Sequence, residues 1–173
     1  MNKLTIAAAF LVMTSGAAFA DNYTITVTNN LEDELLAPIV VTSTSHDIDF
    51  FDGVYVTPEA EEQILTGDPA RIVERIGGGM AAVGHGEDGP PGVLLAPGDS
   101  VTFEFDTDAT SLRILAMVAP TMVPDHYVTN VVDIQAIAEV TVVLDRFDIG
   151  NDEGTMTRTS VGTGAATVVI TRQ

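Results

Sequence analysis

The residues best able to do chemistry lie in a short acidic segment near the C-terminus, DIGNDEG at 148–154. If the fold brought together the carboxylates of Asp148, Asp152 and Glu153, they would repel one another unless a cation compensated their charge. The interspersed glycines allow a loop to curl around a hard ion and present side-chain and main-chain oxygens to it. An EF-hand is not indicated, because Gly150 occupies the third position, where that motif has an acid. A solvated polar turn is the commoner explanation of this pattern in so acidic a chain.

A further carboxylate, Asp125, follows a proline in the sequence Pro124-Asp125-His126-Tyr127. The turn comes after an apolar run at 112–118 that predicts a buried strand, so Asp125 would project from a loop at the end of a sheet. A loop residue in this position can meet the loop of another strand. Taken alone, the segment is more typical of an ordinary turn aspartate.

The three histidines, His46, His85 and His126, offer a different chemistry. Three imidazoles can hold a zinc ion, which would allow a metal-assisted hydrolase together with nearby acids. None of them has another histidine two or four residues away, so no local pattern supports a shared site. The sequence also lacks the Gly-x-Ser-x-Gly, His-Glu-x-x-His and phosphate-loop motifs. A non-enzymatic function is therefore the main expectation, with a metal-assisted hydrolase as an alternative.

The composition excludes several classes of protein. The 173 residues include 25 Asp and Glu but only 7 Lys and Arg, which gives a formal net charge of −18. This charge disfavours binding to nucleic acids or to anionic membrane surfaces, because like charges repel. No cysteine is present, so disulfides, cysteine nucleophiles and iron–sulfur sites are excluded. With 46% hydrophobic residues, the chain has enough apolar side chains for a globular core.

The first 20 residues, MNKLTIAAAFLVMTSGAAFA, show the three successive parts of a secretory signal peptide. Lys3 provides the positive charge, an apolar stretch follows, and Ala18-Phe19-Ala20 forms a small-x-small cleavage site. We therefore expect cleavage near Ala20 and export to the periplasm or the extracellular space. No later apolar run has the roughly 18–20 residues of a membrane-spanning helix, so no membrane span is expected.

The chain from 21 to 173 is predicted to form one all-β domain, an antiparallel β-sandwich. Alternating or β-branched runs bounded by turn residues predict strands at 23–28, 38–43, 101–105, 112–118, 140–144 and 167–171. Two short helices are expected within 58–77, because Pro58 suits a first helical turn and Asp68-Pro69 provides a cap for a second helix. The glycine-rich segment 77–92 is predicted to be a loop.

Several segments, taken in order, resemble the spondin N-terminal domain family, in particular its bacterial members. They are SHDIDFFDGVYVTPEAEEQI, APGDSVTFEF, LRILAMVAPTMVPDHYVTN and RFDIGNDEG, and the match covers roughly residues 23–172. The resemblance implies an antiparallel β-sandwich with a calcium ion held by loop carboxylates. By position in the matching motifs, these carboxylates are Asp125 in the Pro-Asp turn, and Asp148 and Asp152 in the Asp-x-Gly-x-Asp motif.

Departures from the family pattern limit what the resemblance implies. His126 stands where the family has Trp, and Ile149 and Asn151 replace the Ala and Thr of the motif. This sequence contains neither the cysteines nor the thrombospondin repeats of the animal relatives, so matrix or integrin binding is not implied. We expect an exported, calcium-binding domain with an adhesion or interaction role toward an extracellular or periplasmic protein or glycan. An acidic structural protein without a metal, its charge serving solubility, is a further alternative.

Overall fold

A computed structural model describes residues 20–119 and 125–173. The predicted signal peptide, apart from Ala20, lies outside the described residues, and so does Pro124 of the predicted turn. Within the two described ranges, no helix has the length and apolar character needed to cross a membrane.

Antiparallel β-strands dominate the described chain, and three short α-helices are inserted between them. A 3-10 turn at Thr44–His46 precedes the helices, which are α1 (Asp47–Phe50), α2 (Pro58–Thr66) and α3 (Ala70–Ile76). The strands are β1 (Asp21–Asn29), β2 (Leu35–Leu36), β3 (Ile39–Ser43), β4 (Phe51–Asp52), β5 (Tyr55–Val56), β6 (Ala81–Gly84), β7 (Ser100–Thr107), β8 (Ser111–Ala119), β9 (His126–Asp133), β10 (Glu139–Asp148) and β11 (Thr159–Arg172). The predicted all-β fold with short helices is confirmed.

Nine strands form one antiparallel sheet in the order β6-β3-β8-β9-β10-β11-β1-β7, with β2 paired to β8 beside this path. β4 and β5 form a separate hairpin. The large sheet curls around one hydrophobic core, so that Ile25 of β1 and Ile114 of β8 belong to the same buried cluster. Its two edge strands, β6 and β7, also approach each other. The ring of Phe103 in β7 lies directly against Gly84 of β6. The sequence predicts a sandwich of two layers, and in the structure these layers are the two halves of one continuous sheet that curls around the core.

The alternation of apolar and threonine residues in β1 sets the orientation of this strand. Ile25 and Val27 are fully buried in the core, because successive side chains of a strand point to opposite faces. Thr26 lies on the outer face, where its Oγ1 is 2.9 Å from Oγ1 of Thr102 in β7. The strand predicted at 23–28 is confirmed, and the other five predicted strands coincide with β3, β7, β8, β10 and β11.

The helices cover a second hydrophobic cluster. Its buried members are Val40, Phe50, Ala60, Ile64, Ile72, Ile76, Leu115, Tyr127 and Ile149. As predicted, α2 begins at Pro58. α3 begins at Ala70, one residue later than expected, with Pro69 and not Asp68 at its N-cap, although the Asp68 side chain accepts a hydrogen bond from the backbone N–H of Ala70 at 2.9 Å. Both helices expected within 58–77 are therefore confirmed, and α1 is an additional element.

Five strands have no counterpart among the predicted ones: the two-residue strands β2, β4 and β5, and the longer strands β6 and β9. The segment 77–92, predicted to be a loop, contains β6, which pairs with β3 in a register that places Ala82 opposite Val41. The loop prediction is wrong for residues 81–84. This strand is stabilised by pairing with β3, which is distant in sequence, and the glycine-rich segment itself contains no strand pattern. β9 has no counterpart among the predicted strands, although it lies between β8 and β10 and begins directly after Asp125.

Candidate metal centre

The three carboxylates of the predicted site come together at one end of the sheet. Asp125 lies immediately before β9, Asp148 is the last residue of β10, and Asp152 lies in the loop between β10 and β11. β9 and β10 pair antiparallel with His126 opposite Asp148, and this register brings Asp125 beside the end of β10. Strand pairing therefore brings Asp125 to Asp148 and Asp152, which share one short segment of the sequence.

The acidic side chains are close enough to share one ion. Ligand oxygens of Asp125, Asp148, Asp152 and Glu153 all lie within 4.8 Å of one another. The fold thus brings together all three predicted residues and adds Glu153 as a fourth donor. The position of Glu153 within the acidic segment is the only sequence signal for its presence here.

Asp125 is the most unusual of these carboxylates, because it is buried and only partly paired. The residue is 1% exposed. Its Oδ2 accepts a hydrogen bond from the backbone N–H of Asn151 at 3.1 Å, whereas Oδ1 is buried with no hydrogen-bond partner among the described residues. Burial raises the pKa of the Asp125 carboxyl, and the charge of Asp148 raises it further. An ion beside Oδ1 would supply the missing partner and offset this repulsion.

Gly150 shapes the loop that follows β10. Its backbone N–H donates to Oδ1 of Asp148, and its carbonyl accepts hydrogen bonds from the N–H groups of Thr155 and Met156 at 3.0 and 2.9 Å. Gly150 has a φ of +71°, and a Cβ at this position would lie only 2.1 Å from Oγ1 of Thr155. Both constraints require glycine, since other residues disfavour this backbone conformation and would collide with the threonine. The resulting tight loop keeps the acidic side chains in one cluster.

Charge crowding is evident in the exposed part of the cluster. A hydrogen bond with Asp152 raises the pKa of Glu153, and the charges of Asp148 and Asp152 act in the same direction. Two neighbouring carboxyl groups tend to retain a proton between them where their charges are not balanced. The cluster therefore has a surplus of negative charge that a cation would relieve.

His126 offers a second set of donors at the same place. Its Nε2 lies 3.5 Å from Oδ2 of Asp148, and a ring nitrogen of His126 lies within 4.8 Å of ligand oxygens of both Asp125 and Asp148. A set of carboxylates alone suits a hard cation such as Ca²⁺, whereas a set that includes imidazole suits zinc or a related transition metal. Whether His126 has an unprotonated nitrogen free to bind an ion therefore decides whether the site prefers a hard cation or a transition metal.

His46 and His85 take no part in this cluster. In the part of the chain that the structure describes, the groups with metal-ligand spacing include neither residue. His85 is exposed after β6, and Nδ1 of His46 lies 2.9 Å from Oδ2 of Asp49. Nε2 of His46 is buried and has no hydrogen-bond partner within residues 20–119 and 125–173. The three histidines therefore do not form the shared zinc site considered as an alternative.

Replacing Asp49 with Asn is expected to lower stability by about 1 kcal/mol at neutral pH, and the loss should disappear in acid. Burial alone would raise the pKa of Asp49, but hydrogen bonds from His46 and Arg75 and the charge of Arg75 hold it below its usual value. The carboxylate therefore stabilises the folded state above its unfolded-state pKa of about 4, and this contribution is lost as pH falls through the folded-state pKa. Urea unfolding of both proteins between neutral pH and about pH 3 measures the difference. A difference that stayed constant with pH would contradict this role.

Comparison of the sequence with known protein families and with curated proteins finds no relative. The function is therefore inferred from the carboxylate cluster and the residues around it.

Proposed function

We propose that the protein is an exported, non-enzymatic, spondin-like domain that binds one calcium ion and takes part in adhesion or protein interaction. Asp125, Asp148 and Asp152 would hold the ion, with Glu153 on the exposed side. The observation that carries the proposal is Oδ1 of Asp125, which is buried in an acidic cluster and has no hydrogen-bond partner among the described residues. A buried carboxylate oxygen without a partner is costly, and a cation is the partner best suited to it.

Calcium suits this cluster better than magnesium does. Ca²⁺ takes about six to eight oxygen ligands in flexible geometry, whereas Mg²⁺ demands near-octahedral geometry and retains several of its waters. Four carboxylates on a loop and two strand ends can supply several of the calcium ligands, and water can complete the coordination sphere. The donor set therefore fits a calcium ion.

The surroundings of His46 argue against a catalytic role for this residue. The carboxylate of Asp49 contacts Nδ1 of this ring, as in many catalytic acid–histidine pairs. The other nitrogen, Nε2, is buried and therefore not accessible to a substrate. The chain also has no cysteine to act as a nucleophile. A non-enzymatic role is consistent with both observations.

The proposed location and partner follow from the sequence. A signal peptide at 1–20 with cleavage near Ala20 would export the protein, and its partner would be an extracellular or periplasmic protein or glycan. Calcium sites of extracellular modules commonly have dissociation constants of about 10⁻⁴–10⁻³ M. We therefore expect an affinity in this range.

An acidic structural protein without a bound metal is the second candidate. Backbone N–H groups of Gly150 and Asn151 favour it, because each already donates to one carboxylate oxygen of the cluster. Such hydrogen bonds compensate part of the negative charge without an ion. A direct measurement of calcium binding separates the two candidates.

Calorimetric titration with calcium chloride is expected to show one ion bound per chain. Asp148→Asn should weaken binding by more than about tenfold, since even supporting residues of metal sites often have effects of this size. The matched control is Asp106→Asn, which removes an exposed carboxylate that is hydrogen-bonded to Asn22 outside the cluster. No saturable binding by the wild type, or equal weakening in both variants, would exclude the proposed site.

A further inference from the structure

Arg146 connects Glu34 to the acidic cluster through His126. On one side, the guanidinium group donates to both carboxylate oxygens of Glu34, with Nη2 2.9 Å from Oε1. On the other side, Nε and Nη2 of Arg146 lie 3.0 and 2.6 Å from Nδ1 of His126. The far side of the imidazole ring, Nε2, faces Oδ2 of Asp148. The connected side chains thus extend from Glu34 to a candidate metal ligand.

The contacts with Arg146 determine which nitrogen of His126 carries a proton. A guanidinium group has only N–H donors, so Nδ1 must accept these hydrogen bonds with its lone pair. A neutral imidazole has one protonated and one unprotonated nitrogen, and its hydrogen therefore lies on Nε2. That N–H group faces the carboxylate of Asp148 across 3.5 Å.

We propose that Arg146 excludes His126 from metal coordination and thereby makes the cluster selective for hard, oxygen-preferring cations. A histidine binds a metal through an unprotonated nitrogen. Neither nitrogen of His126 is available, because Arg146 occupies Nδ1 and Nε2 carries the hydrogen. Only the carboxylate donor set remains, and it suits Ca²⁺ rather than zinc. This inference rests on the proposed metal site and assigns to Arg146 the exclusion of transition metals from it.

His126 acts in this arrangement as a positioning residue for Asp148. Its Nε2–H faces Oδ2 of Asp148, while the backbone N–H of Gly150 donates to Oδ1 of the same carboxylate. Oδ1 is therefore oriented by a hydrogen-bond donor before an ion arrives, and Oδ2 faces the imidazole N–H across 3.5 Å. Glu34 has a supporting role, because its two carboxylate oxygens accept hydrogen bonds from the guanidinium group that contacts His126.

Nitrogen-15 NMR of the histidine side chains in the calcium-free wild-type protein tests the protonation site without any metal. The expected result at His126 is a protonated Nε2 and an unprotonated Nδ1, with the signals assigned by their absence from His126→Gln. The opposite tautomer would overturn the inference and leave the proposed calcium site intact.

Titration with cobalt(II) chloride tests the selectivity. Arg146→Met, combined with Glu34→Gln so that no carboxylate is left unpaired, should free the ring and raise Co²⁺ affinity by about tenfold or more. The bound Co²⁺ should acquire the absorption of a nitrogen-ligated ion. Adding His126→Gln should abolish the gain, and Arg146→Lys, which retains N–H donors, should bind Co²⁺ as the wild type does.

The two proposals fail in different ways. If removal of Arg146 leaves Co²⁺ affinity unchanged, or if the gain persists with His126→Gln, the selectivity inference is overturned while calcium binding by the wild type stands. If the wild type does not bind calcium chloride, the proposed function is overturned, and the NMR result still reports the tautomer set by Arg146.

Discussion

The calcium-free Asp125→Asn protein is expected to melt about 2–4 °C above the wild type and to lose the response to calcium. Without an ion, Asp125 is a buried carboxylate beside Asp148, and its Oδ1 has no hydrogen-bond partner in the part of the chain that the structure describes. Burial raises the pKa of this carboxyl. An amide of the same shape removes this charge and can donate to a neighbouring carboxylate, which should stabilise the fold by about 1 kcal/mol. In a chain of this size, that free energy corresponds to roughly 2–4 °C.

The wild-type protein should respond strongly when calcium is added. A ligand that binds only the folded state stabilises it by about 2.7 kcal/mol at a concentration 100 times its Kd, which corresponds to roughly 5–10 °C. The order of the two melting temperatures should therefore reverse between EDTA and excess calcium. Asp106→Asn, the control outside the cluster, should keep the wild-type response. A calcium shift of equal size in Asp125→Asn would show that Asp125 is not a ligand.

Replacing Gly150 with Ala is expected to destabilise the protein by about 2–4 kcal/mol and to weaken calcium binding. The backbone conformation of Gly150 disfavours any other residue by about 1 kcal/mol, and the added Cβ would also collide with Oγ1 of Thr155 at 2.1 Å. Overpacking of this kind commonly costs about 1–3 kcal/mol more. Because relief of the clash would distort the loop that holds Asp152, calcium affinity should fall together with stability.

Gly154 provides a matched control for Gly150. Its φ of +69° is nearly the same, but no atom lies within 4 Å of the position that a Cβ would occupy. Gly154→Ala should therefore cost only about 1 kcal/mol, and adding Thr155→Ala to Gly150→Ala should recover part of the larger loss. Urea unfolding compares these variants. Equal destabilisation by the two alanine substitutions would rule out the close contact with Thr155.

Local patterns in the sequence were sufficient to predict most of the fold. The alternation around Ile25 predicts a half-buried strand, and Asp68 before a proline predicts the start of a helix, because both signals lie within a few residues. β6 and β9 carry weaker signals. Their place in the sheet depends on pairing with strands elsewhere in the chain, such as that of Ala82 with Val41.

The site depends still more on contacts between distant parts of the chain. Asp148, Asp152 and Glu153 share one acidic segment, but the meeting of Asp125 with this segment follows from the register of β9 and β10. In the sequence, only the resemblance to a known family connects Asp125 with the others. The contact of Glu34 with Arg146 joins residues 112 positions apart, and no local sequence pattern predicts it.

A crystal structure determined at saturating calcium is the most direct test of the proposed site. We predict a single ion about 2.3–2.6 Å from carboxylate oxygens of Asp125, Asp148 and Asp152, with Oδ1 of Asp125 among its ligands. Nε2 of His126 should face Asp148 and lie outside the coordination sphere. An ion bound elsewhere, or an Oδ1 of Asp125 that contacts only water at saturating calcium, would contradict the assignment of this cluster as a calcium site.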